Sequence, residues 1–150
     1  MKIAINTSPL NSLHAGRGIG QYTTMLVENL KADAGKNSYI FFTDRLHEPV
    51  DIVHYPFFDL FQPTLKIINN AKIVVTIHDL IPLKYPDRFP SGIRGKIAWW
   101  RQKNSLKNID AIITDSQASA RDIKEIAHIP SEKVYVVPLA VPADYRLLNS

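Results

Sequence analysis

Cysteine is absent from this sequence, which excludes disulfides and thiolate-held metals while leaving the redox compartment open. No apolar run approaches the roughly 18 residues that a membrane-crossing helix needs. Met1 leads at once into the strand-like KIAIN instead of a signal peptide, so the expectation is a cytoplasmic chain. No H-x-x-x-H motif or carboxylate cluster offers the ligand set of a protein-bound metal. Repeats, low-complexity tracts and linkers are missing too, and no cofactor motif stands out. Neither charge dominates: 18 basic residues against 14 acidic give a net +4, which permits an anionic ligand or membrane surface but falls far short of a nucleic-acid binder. What is present, 150 residues with 45% hydrophobic and 21% charged, suits one globular domain with a sizeable core.

Short runs rich in β-branched residues occur at Lys2 to Asn6, Tyr39 to Thr43, Asp51 to His54, Lys72 to Ile77, Ala111 to Thr114 and Lys133 to Val137. Several are apolar throughout, as strands buried on both faces are. Between the first two, Ile19, Tyr22, Thr23, Leu26, Val27 and Leu30 form one helical stripe, with Gly35 placed to end it. Further helices are predicted over Ile93 to Leu106, near Asp59 to Ile68, and from a Ser116 cap through Ile123 and Ile126 until Pro130. Alternation of strand and helix predicts an α/β fold: a Rossmann-like three-layer sandwich, single-domain, with a mostly parallel sheet.

In such sheets ligands sit beyond the carboxyl ends of the strands. TIHDLIPLKYP, from Thr76 to Pro86, delivers the polar pair His78 and Asp79 to that edge and then a proline-punctuated loop. A strand-end histidine is often tied to a neighbouring carbonyl, but at this edge its imidazole can also exchange hydrogen bonds with sugar hydroxyls. Asp79 can orient the loop or cap the next turn. His54 ends another strand and reads as structural; His14, His47 and His128 have no partner pattern. The cluster Gly16-Arg17-Gly18-Ile19-Gly20 lacks the G-x-G-x-x-G spacing and follows its strand by about ten residues, which argues against a dinucleotide site. It serves either as a flexible glycine cap or as a helix start whose backbone N–H groups approach phosphate or sugar oxygens closely.

Ser91 to Lys107 carries Arg94, Lys96, Arg101, Lys103 and Lys107 without one acidic residue. Ile93, Ile97 and Trp100 recur at helical spacing, so that stripe is expected to pack on the sheet and leave Trp99 and the cations outside. The outer face is then either a solvated basic surface or a contact for anionic lipid.

GRGIGQYTTMLVENL, VDIVHYP, KIVVTIHDLIPLKYPDRFP, NIDAIITDSQASARDI and IPSEKVYVVPLAV, in that order, resemble the amino-terminal half of retaining group 1 glycosyltransferases of the GT-B class. The resemblance covers nearly all of residues 1–150, and the TIHDLIPLKYP form looks most like mannosyl- and glucosyl-type bacterial enzymes of surface polysaccharide synthesis. It implies an acceptor-side Rossmann-like domain that faces a separate donor domain holding the nucleotide-sugar. By this likeness His78 is the catalytic-site histidine that reaches the donor sugar, and Gly18, Gly20 and Ser116 are donor-side positions. Arg17, Tyr22, Asp79, Lys84 and Tyr85 fall on the acceptor side. The implied partners are a nucleotide-sugar and a glycan or lipid-linked acceptor, with peripheral contact to the inner membrane face through Arg94, Lys96, Trp99, Arg101 and Lys103. The donor domain's cationic and paired-glutamate motifs are not found before Ser150, so these residues alone are expected to be inactive. A stand-alone Rossmann-like glycan or nucleotide-binding module and a subunit of a split glycosyltransferase are the alternatives.

Overall fold

A computed structural model describes residues 1–13, 15–33 and 35–140. Six strands, β1 (Lys2–Asn6), β2 (Ser38–Phe42), β3 (Ile52–Tyr55), β4 (Lys72–Thr76), β5 (Ala111–Thr114) and β6 (Val134–Val136), form one sheet in the order β2-β1-β3-β4-β5-β6. Every pairing is parallel, as expected for strands whose residues are buried on both faces. The helices are α1 (Gly18–Ala32), α2 (Ile81–Lys84), α3 (Gly92–Leu106) and α4 (Gln117–Ala127). The chain turns one way through α1 to reach β2 and the opposite way through α3 and α4 to reach β5 and β6. Right-handed crossovers therefore place α1 on one face and α3 with α4 on the other, giving the three-layer α/β sandwich.

The two faces differ in chemistry. Val53, Tyr55, Ile73, Val75, Ile77, Ile112 and Ile123 join the main apolar core on the α3 and α4 side. The alternate residues on the α1 side include buried Ile5, His54 and Thr76, over which α1 lays Thr23 and Val27. The α1 stripe of Ile19, Tyr22, Thr23, Leu26, Val27 and Leu30 is turned inward as its period requires, but the helix stops at Ala32, before Gly35. Helix α4 starts where Ser116 Oγ accepts from Ser119 N at 3.1 Å and ends on left-handed His128. His14 lies outside the described residues.

Two expectations fail for identifiable reasons. No helix forms near Asp59 to Ile68. Asp59 Oδ1 accepts from the backbone N–H groups of Phe61 (2.7 Å) and Gln62 (2.9 Å), and Thr64 Oγ1 accepts from Asp59 N (3.0 Å). These side chains take donors that a helix would use, and Gln102 Nε2 pins the resulting loop to α3 by donating to the carbonyls of Asp59 and Gln62.

The rotation of α3 is also opposite to expectation. Ile93, Ile97 and Trp100 point to solvent, Ile93 being 79% and Trp100 65% exposed. The inner stripe is Gly95, Trp99, Gln102 and Leu106, with Trp99 packed against the core. Gly95 serves the first turn of α3, because a Cβ there would lie 2.5 Å from Cβ of Ser91, the residue that opens the same helix. Lys103 is not free either, since its ammonium donates to the Ile126 carbonyl at 2.9 Å. Among the described residues no helix is long and apolar enough to cross a membrane.

The orientation of α3 yields a direct comparison. Trp99→Ala should lower unfolding stability by about 2–4 kcal/mol, whereas Trp100→Ala should change it by less than about 0.5 kcal/mol. Equal losses in urea denaturation would contradict the inward turn of Trp99.

Candidate functional site

The carboxyl ends of β3, β4 and β5 carry a line of polar side chains on the α1 face, placed there by register. Thr76 of β4 is level with Ile113 of β5, so His78 and Asp115, each two residues further on, are level and on the same face. His78 Nδ1 lies 2.7 Å from Asp115 Oδ2, with both side chains mostly covered. His54 pairs with Val74, which brings Thr76 diagonally across from it, and His54 Nε2 lies 2.8 Å from Thr76 Oγ1. From α1, the Tyr22 hydroxyl reaches Thr76 Oγ1 at 3.4 Å, while the Tyr22 ring meets His78 edge-on at 4.9 Å between centroids. His78 Nε2 and Asp115 Oδ1 are buried without a hydrogen-bond partner among the described residues.

Burial shifts the titration of His54 and Tyr22. It pushes the His54 imidazole down from 6.5 to about 4, because charging it would desolvate a cation among apolar neighbours. Burial likewise raises the Tyr22 phenol, partly opposed by its bond to Thr76. Both groups are therefore neutral near pH 7.

Beside the row lies a cleft of about 200 Å³ lined by Ile19, the segment Phe57–Phe61, His78, Asp79 and Pro82. Ligand pockets for drug-sized molecules run roughly 300–1,000 Å³, so this space suits a single ring. Its wall combines aromatic faces from the loop after β3 with two carboxyl groups and an imidazole from Asp59, Asp79 and His78. Among the described residues no Lys or Arg lines it. Among the described residues no three His, Asp or Glu side chains converge as metal ligands.

The predicted site residues divide by placement. His78 and Asp79 border the cleft, and Tyr22 packs on His78. Asp79 Oδ1 accepts from Ile81 N at 2.9 Å, capping α2 as its position suggested. Gly18 opens α1 and Gly20 is buried two residues further on, while Arg17 is an exposed residue at the helix start. Lys84 is drawn away to Asp122 on α4 at 2.7 Å, and Tyr85 is 48% exposed beyond it. Ser116 sits at the head of α4 with its hydroxyl used in the cap. Asp115 and the Phe57–Phe61 wall escaped the sequence reading. Asp115 was reachable, because two strands ending in TIHD and ITDS bring their polar residues level; the wall was hidden by the mistaken helix.

These features define an open α/β domain with a polar and aromatic cleft at the strand ends. The family model of Glycosyltransferase Family 4 matches residues 38–145, from β2 onward, and the chain belongs to that family as a GT-B glycosyltransferase domain. Over 78 residues, 52% of this chain, it is 30% identical to the serotype-specific mannosyltransferase WbdA of Escherichia coli. The aligned stretch spans 10% of that relative's length.

The buried neutral His54 makes stability depend on pH. Between pH 6.5 and about 4 the unfolded chain binds a proton that the folded chain refuses. Its contribution is full above pH 6.5 and falls as pH drops, by about 2 kcal/mol between pH 7 and pH 5. Urea titrations of wild type and His54→Gln should show this fall in the wild type alone; parallel pH profiles would contradict it.

Proposed function

We propose that this chain is the acceptor-side domain of a retaining glycosyltransferase. It would act in the cytoplasm, moving a hexose of mannose or glucose type from a nucleotide-sugar to a glycan or lipid-linked acceptor in surface polysaccharide synthesis. Membership of the glycosyltransferase family supports the reaction class, and the mannosyltransferase relative supports the sugar type. The observation that carries the reading is His78, held at the end of β4 on the wall of a single-ring cleft with aromatic faces opposite.

In the proposed reaction the acceptor hydroxyl attacks the anomeric carbon from the face that the diphosphate leaves. The new C–O bond forms as the sugar–phosphate C–O bond breaks, and the acceptor proton passes to a diphosphate oxygen. The domain contributes orientation, with His78 holding the sugar rather than serving as base. The leaving diphosphate needs cations, and among the described residues none lines this cleft. Those charges belong to a separate donor domain, so residues 1–150 alone should transfer no sugar.

The outward face of α3 supports peripheral contact with the inner membrane surface. Ile93, Ile97 and Trp100 form an exposed apolar stripe beside Arg94, Lys96 and Arg101, with no acidic residue between 88 and 109. Each cation near an anionic surface adds about 1 kcal/mol of attraction. Phosphatidylcholine vesicles containing phosphatidylglycerol should carry the protein upward in flotation, and Ile93→Glu with Trp100→Glu should abolish this. Wild-type protein left at the bottom of the gradient would sink the membrane assignment.

Replacing His78 by Ala in the complete enzyme should reduce turnover roughly 100- to 1,000-fold, within the range seen when one positioned polar group is lost. The melting temperature should change little. Wild-type turnover in that variant would assign His78 to structure alone.

A further inference from the structure

We infer that Asp115 is a positioning residue for His78, holding the imidazole as its Nδ1–H tautomer and leaving Nε2 as an acceptor for a sugar hydroxyl. The inference rests on the assignment of His78 to the reacting sugar and deepens it. An ionised carboxylate has no proton to give, so across the 2.7 Å contact Nδ1 must donate to Asp115 Oδ2. In the neutral ring the lone pair is then on Nε2.

Three elements fix this geometry together. Asp115 follows β5, His78 follows β4 at the same level, and the edge-on Tyr22 ring of α1 at 85° limits rotation of the imidazole. His54 makes the contrast. It lies on the same face and meets the Thr76 hydroxyl, which can donate or accept, so that contact does not fix its tautomer as a carboxylate would. Asp115 Oδ1 and His78 Nε2 both lack partners among the described residues, and in this protonation pattern both are acceptors. Of the two, His78 borders the cleft, and an acceptor lone pair on its ring matches a polyol, whose hydroxyls can donate to it. It does not match a phosphate, which brings only acceptors. The assignment therefore gives this side of the cleft to the sugar ring rather than to the diphosphate.

Imidazole ¹⁵N NMR of the purified protein reads the tautomer without a variant. His78 should show a protonated Nδ1 and a pyridine-like Nε2. In Asp115→Asn the carboxamide can donate to Nδ1, so the signals should move toward the Nε2–H form. In the complete enzyme the same variant should lower kcat by about 10- to 100-fold, the scale found when a carboxylate partner of a functional histidine is lost. Asp115→Glu should recover part of it. The inference is overturned by an Nε2–H tautomer in wild type, or by wild-type kcat in Asp115→Asn while His78→Ala is impaired. Wild-type turnover in His78→Ala would instead overturn the sugar assignment and with it any catalytic use of the pair, while the NMR spectrum still decides the pairing itself.

Discussion

The parallel register between β4 and β5 is the constraint on which the site depends. Because Thr76 is level with Ile113, the chain leaves both strands at the same height, and the next two residues bring His78 and Asp115 face to face. A slip of one residue would turn either side chain to the opposite face, into the apolar layer with Ile77 and Ile112. Burial on both faces enforces the register, so the energy that fixes the core also sets the histidine–carboxylate contact.

The sheet divides its labour between its faces. Toward α3 and α4 it presents branched aliphatic residues, and that layer supplies most of the hydrophobic stabilisation. Toward α1 it buries His54 and Thr76 and ends in the His78–Asp115 pair, which serves no packing purpose that an apolar residue would not serve better. Such departures from local consistency are expected where function overrides stability. The aromatic loop completes the arrangement by closing the cleft with rings in place of a crossover helix.

Much of the fold was legible because its signals are local. The runs at Lys2 to Asn6 and Ala111 to Thr114 coincide with strands, and the others deviate by one residue at one or both ends. The Ser116 cap and the α1 stripe follow from short-range periodicity and hydrogen-bonding chemistry. The orientation of α3 was not legible, since Ile93, Ile97 and Trp100 form as regular a stripe as Gly95, Trp99, Gln102 and Leu106. The anchoring of Gln102 to the loop and the packing of Trp99 on the core distinguish the stripe that turns inward. The loop at Asp59 to Ile68 was misread for a related reason, because Asp59 and Thr64 capture backbone donors in a way that composition does not announce. At the site, TIHD pointed to His78, but its partner in ITDS required knowing that β4 and β5 are neighbours.

The central claim is that the cleft between the Phe57–Phe61 loop and His78 holds a sugar ring. Its most direct test is a titration of the isotopically labelled protein with mannose and mannobiose, followed by backbone and imidazole NMR. Shift changes should concentrate on Ile19, Phe57 to Phe61, His78, Asp79 and Asp115. Changes confined to other surfaces, or none at millimolar sugar, would contradict it.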